Sequence, residues 1–89
     1  MNDKIDNEAD NKEIVTAFIK GLSVITAFDH ENTSMTLSDV AKKVDITRAS
    51  ARRLLLTLES LGYVVQNDNL FSLTPKIIDL GYSYFASLP

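Results

Sequence analysis

Two helical patterns separated by a three-residue connection constrain this chain more than any other feature. In TLSDVAKKVDITRASARRLLLTLESLGYV, Thr36 to Val64, the residues Leu37, Val40, Ala41 and Val44 share one helical face. Ala51, Leu54, Leu55, Leu58 and Leu61 form a second stripe with i, i+3, i+4 and i+7 spacing. Between them, Val44-Asp45-Ile46 has room only for a tight turn, and aspartate is one of the few non-glycine types that tolerates a left-handed conformation there. Ser38 is the expected cap of the first helix, with Asp39 in its first turn where the helix dipole favours an acid. Thr47 is the expected cap of the second, over residues 48–61, and Gly62 ends it at the position after the last helical residue.

The flanking residues supply the remaining elements. Ile14, Phe18, Leu22, Ile25 and Phe28 predict a helix over roughly 12–29. Gly21 in its interior costs about 1 kcal/mol against alanine, and a close helix crossing is the reason to keep it. DHENTSM is a polar loop, and MTL a candidate short strand. YVVQ and LFSLT predict two strands around NDN, a hairpin whose asparagines suit positive φ. Thr74-Pro75 is a cap followed by a first-turn proline, opening a helix over about 75–87. The fold expected is mainly α with a small β-hairpin, a winged helix-turn-helix followed by a linker helix. Residues 1–12 read as a disordered acidic leader, 13–74 as the winged domain and 75–89 as the linker helix.

Net charge is −3 over 89 residues, which alone argues against a nucleic-acid partner. Its distribution argues the other way. Residues 1–13 hold five acids and two lysines, whereas residues 36–61 hold Lys42, Lys43, Arg48, Arg52 and Arg53 against Asp39, Asp45 and Glu59. Basic charge is concentrated on the two-helix unit. There is no cysteine, hence no disulfide and no thiolate site. No apolar run approaches the roughly 20 residues of a membrane span, and with no apolar signal segment the expected location is cytoplasmic. The one histidine, His30, lies in the polar loop and reads as a surface residue, not a metal ligand. With no nucleophile pair and no glycine-rich phosphate loop, an enzyme is not expected, nor is a cofactor.

A helix-turn-helix needs a small residue where its helices cross, here Ala41, and apolar braces around the turn, here Val40, Val44, Ile46, Ala51 and Leu54. The exposed start of the second helix reads base edges in such motifs. Candidate DNA contacts are therefore Ser38, Thr47, Arg48, Ala49, Ser50, Arg52 and Arg53, with Asn67 and Asn69 at the wing tip. Arginine suits bidentate contact to guanine or phosphate, and Ala49 suits a thymine methyl. Leu56, apolar on the outer face, has no role in this scheme beyond packing under the wing. The alternative is a winged helix used for protein–protein contact, since the fold does not fix the function.

GLSVITAF, TLSDVAKKVDITRASARRLLLTLESLGYV and FSLTPKIIDLGYSYFASLP together resemble the N-terminal domain of the IclR (isocitrate lyase regulator) family of bacterial transcription regulators, over about residues 14–89. The pattern is most similar to the subgroup that controls the β-ketoadipate pathway and related aromatic-acid catabolism. The resemblance implies a sequence-specific DNA-binding domain acting as a homodimer on a pseudo-palindromic operator. It also implies a small-molecule effector bound by a C-terminal domain absent from this chain. Two features depart from the family pattern: Asp45 stands at a turn position often filled by glycine, and the wing tip QNDNL carries Asp68 and no cation. The terminal helix is apolar on most of its circumference, so Tyr82, Tyr84 and Phe85, with Gly21 of the first helix, are the candidate dimer contacts.

Overall fold

The structure, a computed structural model, describes residues 12–89; the expected leader lies outside them except for Lys12. The elements in order are α1 (Thr16–Ala27), α2 (Leu37–Val44), α3 (Arg48–Ser60), β1 (Val64–Asn67), β2 (Leu70–Leu73) and α4 (Ile77–Ala86). This is a winged helix-turn-helix with a further helix after the wing. Its core is built from Val24, Ala27 and Phe28 of the first helix region, Val40 and Ala41 of α2, Ala51, Leu55 and Leu58 of α3, and Met35, Val64 and Phe71 beside them. Among the described residues no helix is long and apolar enough to cross a membrane.

The cap of α2 is Thr36, not Ser38. Thr36 Oγ1 accepts from the Asp39 amide, and the Asp39 carboxylate accepts from the Thr36 amide, each at 3.1 Å. The reciprocal pair satisfies two amide donors at the helix start, and it moves Ser38 into the first turn. Replacing Thr36 with alanine should destabilise the domain by about 1 kcal/mol. A thermal melt should show the midpoint lower by roughly 4–8 °C, the scale for a domain of this size.

The turn is built as its sequence requires. Asp45 has φ 64° and ψ 52°. Its amide donates to the Lys42 carbonyl at 3.3 Å, and the Ile46 amide donates to the Ala41 carbonyl at 3.0 Å. This is the Schellman arrangement, which closes a helix through one left-handed residue. The same pattern ends α3, where Gly62 has φ 90°. There the Gly62 amide donates to Glu59 and the Tyr63 amide to Leu58.

The hairpin pairs Val64 with Leu73 and Asn67 with Leu70, leaving Asp68 and Asn69 as a two-residue turn. Positive φ falls on Asp68, at 59°, and on neither asparagine. Gln66 Nε2 holds the tip by donating to the Asp68 carbonyl at 3.0 Å. The MTL strand reduces to a single bridge: Met35 exchanges both backbone hydrogen bonds with Phe71 and fastens the wing to the core.

The stripe expected on α1 is buried only in part. Phe28 is in the core and Ile25 packs against it as expected, but Val24 and Ala27 join them, while Phe18 and Leu22 are exposed, at 67% and 48%. On α3, Leu61 is likewise exposed, although Ala51, Leu55 and Leu58 are buried as expected.

A long-range clamp closes α1. Lys43 Nζ donates at 2.7 Å to the Ala27 carbonyl at the helix end and at 2.7 Å to Asp29 Oδ2. The Lys43 hydrogen bond, with a further one from Asn32, lowers the Asp29 pKa from 3.8 to about 2. A depressed carboxylate pKa supports the fold above its unfolded value and ceases to do so as pH falls through the folded one. The clamp should therefore persist at pH 4 and open as the pH falls from there towards 2. An NMR titration of the Asp29 carboxyl carbon checks this: Lys43→Met should return the midpoint towards the ordinary value of 3.8.

Candidate nucleic-acid interface

The exposed side of α3 is organised by its N-terminus. Thr47 Oγ1 accepts from the Ser50 amide at 3.0 Å, so the cap is made as expected. Thr47, Arg48, Ala49, Arg52 and Arg53 are exposed. Ser50 is half-buried and turned towards α1, where it lines an open groove between α1 and α3. Among the described residues, none of the three arginines of α3 pairs with a carboxylate. Their charge is free to meet a polyanion.

Arg48 and Ser38 are placed together. Arg48 Nη1 donates to the Ser38 hydroxyl, joining the start of α3 to the first turn of α2. Ser38 is half-buried and meets Arg48 through this contact, a relation that sequence spacing does not reveal. Lys43, counted with the basic cluster on sequence, is drawn away from it by the clamp on Asp29. The basic face is therefore narrower than composition implied.

Asn67 and Asn69 lie exposed at the wing tip beside Asp68, with no cation between Val64 and Leu73. Leu56, expected under the wing, is exposed and takes no part in the core or in the apolar residues packed against it. Gly21 lies in the α1–α3 groove, where a Cβ would stand 3.8 Å from Leu54 Cδ2, an ordinary contact. Packing inside the domain thus does not require glycine there. Tyr82, Tyr84 and Phe85 are exposed, and no residue of α4 is buried. Two contacts fasten the chain just before the helix: Thr74 Oγ1 donates to the Gly62 carbonyl at 2.6 Å, and Lys76 Nζ lies 5.4 Å from the Tyr63 ring centre. The regular helix begins at Ile77, after a turn at Pro75-Lys76.

Comparison with known proteins decides the family. The model of the IclR helix-turn-helix domain matches residues 17–68. The chain belongs to the IclR family. It is 36% identical over 77 residues to the Pca regulon regulatory protein of Pseudomonas putida, covering 86% of this chain and 26% of the relative. It is 38% identical to the Pca operon regulatory protein of Acinetobacter baylyi, covering 98% of this chain and 34% of the relative. To the p-hydroxybenzoate hydroxylase transcriptional activator of the same species it is 31% identical, covering 90% of this chain and 30% of the relative. The crystal structure of an IclR family transcriptional regulator from Brucella abortus superposes with a TM-score of 0.81 at 30% identity, over 91% of this chain and 32% of that one. The chain is thus an IclR-family DNA-binding domain of a transcription regulator, and it spans about a third or less of the relatives it matches.

Proposed function

We propose that this domain reads a DNA operator by laying α3 in the major groove and that it serves a regulator of aromatic-acid catabolic genes. The observation that carries the reading is the exposed start of α3, where Arg48, Arg52 and Arg53 stand without carboxylate partners among the described residues, on an IclR helix-turn-helix frame. A helix is narrow enough for the roughly 12 Å major groove, and arginine is suited to the guanine edge and to phosphate. Thr47 and Ala49 flank the arginines at the contact surface, Ser50 borders it, and Ser38 orients Arg48. Asn67 and Asn69 approach the backbone as neutral amide donors, so the wing adds little electrostatic affinity. The class of target genes follows the names of the relatives, one of which names p-hydroxybenzoate, an aromatic acid.

Residues 13–74 form the reading head, and 75–89 the linker. Two copies meet through α4 and the α1 surface around Gly21, using Tyr82, Tyr84 and Phe85. A small-molecule effector belongs to the part of the relatives' length that this chain does not span.

The test is selection of bound duplexes from a random pool, followed by titration of the selected duplex at two salt concentrations. Affinity should fall steeply with salt, with a log–log slope of about −0.9 for each phosphate neutralised. Failure to enrich any sequence, together with a flat salt response, would remove the DNA-reading assignment.

A further inference from the structure

Seven side chains of α3 are exposed: Arg48, Ala49, Arg52, Arg53, Leu56, Thr57 and Ser60. Leu56 is the only large apolar one among them. It is 38% exposed. It joins neither the core nor the apolar residues packed on it, and it lies outside the α1–α3 groove. Helical spacing puts it in line with Ala49 one step of seven before it, with Arg52 and Arg53 four and three before it, and with Ser60 four after it. Leu56 therefore continues the strip that carries the arginines, one turn further along the helix.

We propose that Leu56 is a specificity-determining residue that contacts the C5 methyl of a thymine. The inference rests on α3 lying in the major groove, as proposed above. The methyl is the distinctive apolar group that base pairs present in that groove. Leu56 stands on a strip otherwise made of arginines, small residues and hydroxyls, and more than a third of its surface is left open outside the core. The duplex that the neighbouring arginines approach supplies a partner for that surface. Four residues of helix span roughly 6 Å, or about two base-pair steps at 3.4 Å each. The thymine should thus stand about two steps from the base or phosphate held by Arg52. Ala49, two turns towards the helix start, is too short to reach the same methyl and leaves room for the helix to approach there.

The experiment replaces each thymine of the selected duplex, one at a time, with deoxyuridine, which removes only the methyl. For the wild-type domain, one position per half-site should weaken binding about fourfold, the scale for one buried methyl-sized group. Leu56→Ala should bind the thymine duplex more weakly by a similar factor and show no further loss with deoxyuridine at that position. Arg52→Ala, weaker overall, should keep the methyl dependence. Because Leu56 is exposed, the thermal midpoint of Leu56→Ala should stay within a few degrees of wild type. Wild-type binding indifferent to every methyl, or a Leu56→Ala domain that keeps the wild-type pattern of sensitivity, overturns the proposal while leaving DNA reading in place. If no duplex can be selected at all, both fall together.

Discussion

Replacing Arg52 and Arg53 with alanine should each cost about 1–3 kcal/mol of affinity for the selected duplex where the side chain reads a base, roughly a 5- to 150-fold loss. The two lie about 100° apart around α3, with Arg53 at the rim of the groove shared with α1. They should therefore differ in kind. A base reader, once removed, relaxes the sequence preference at one position. A phosphate contact, once removed, weakens all sequences alike and makes the salt slope shallower by about 0.9. The fold should be indifferent to both, because each side chain is exposed and neither joins an ion pair among the described residues. Isothermal binding and a thermal melt on the same samples separate the cases. Undiminished affinity in the double variant removes the central role given to α3, and a large fall in melting midpoint would make the arginines structural.

The parts of the fold legible in sequence were those specified by local chemistry. The left-handed Asp45, the Thr47 cap and Gly62 after α3 each depend on a single residue and its immediate neighbours, and each stands where the sequence put it. The α2 cap was misassigned although its signal was present: Thr36 has Asp39 three residues on, the spacing of a reciprocal cap, while Ser38 offered only residue type. The hairpin was legible in position but not in detail, because both asparagines and Asp68 tolerate positive φ and the strand register chooses between them. The face of α1 was read only in part, for a different reason. Its apolar residues cover more than one side, so periodicity cannot say which side meets α3 and which is left bare. The Lys43–Asp29 clamp and the Arg48–Ser38 contact join residues 14 and 10 positions apart across turns. No sequence period encodes them. Of the candidate site, the residue types, their helix and the outward side of Leu56 were readable; the loss of Lys43 from the basic face and the absence of Leu56 from the packing under the wing were not.

Placing a charge on α4, as Phe85→Glu or Tyr84→Glu, should weaken binding to a full two-half-site operator on the order of tenfold, or about 1.4 kcal/mol, and should barely change binding to an isolated half-site. The reason is the unmatched apolar surface of the chain. Tyr82, Tyr84 and Phe85 are each about two-thirds exposed on a helix with no buried residue. Across the domain, Phe18, Leu22 and Leu61 line an open groove of about 600 Å³ between α1 and α3, with Gly21 in its wall. Contiguous exposed apolar surface is a common mark of interaction sites, and it is the ground for the pairing of two copies proposed above. One reading head presents only a few side chains to base edges, so a second copy doubles the sequence that is read. A two-fold pair places its heads on half-sites about one helical turn, roughly 34–36 Å, apart. Dimerisation in this scheme contributes only where both half-sites are present, which is why the charged variants should discriminate between the two duplexes. Inserting about five base pairs between the half-sites turns one head to the opposite side of the duplex, since a turn is about 10 base pairs. That change should weaken wild type to the level of the charged variants and leave those variants almost unaffected. Equal losses on full and half-sites, with no response to spacing, would mean that each domain binds alone and that the apolar face of α4 serves some contact other than a second copy.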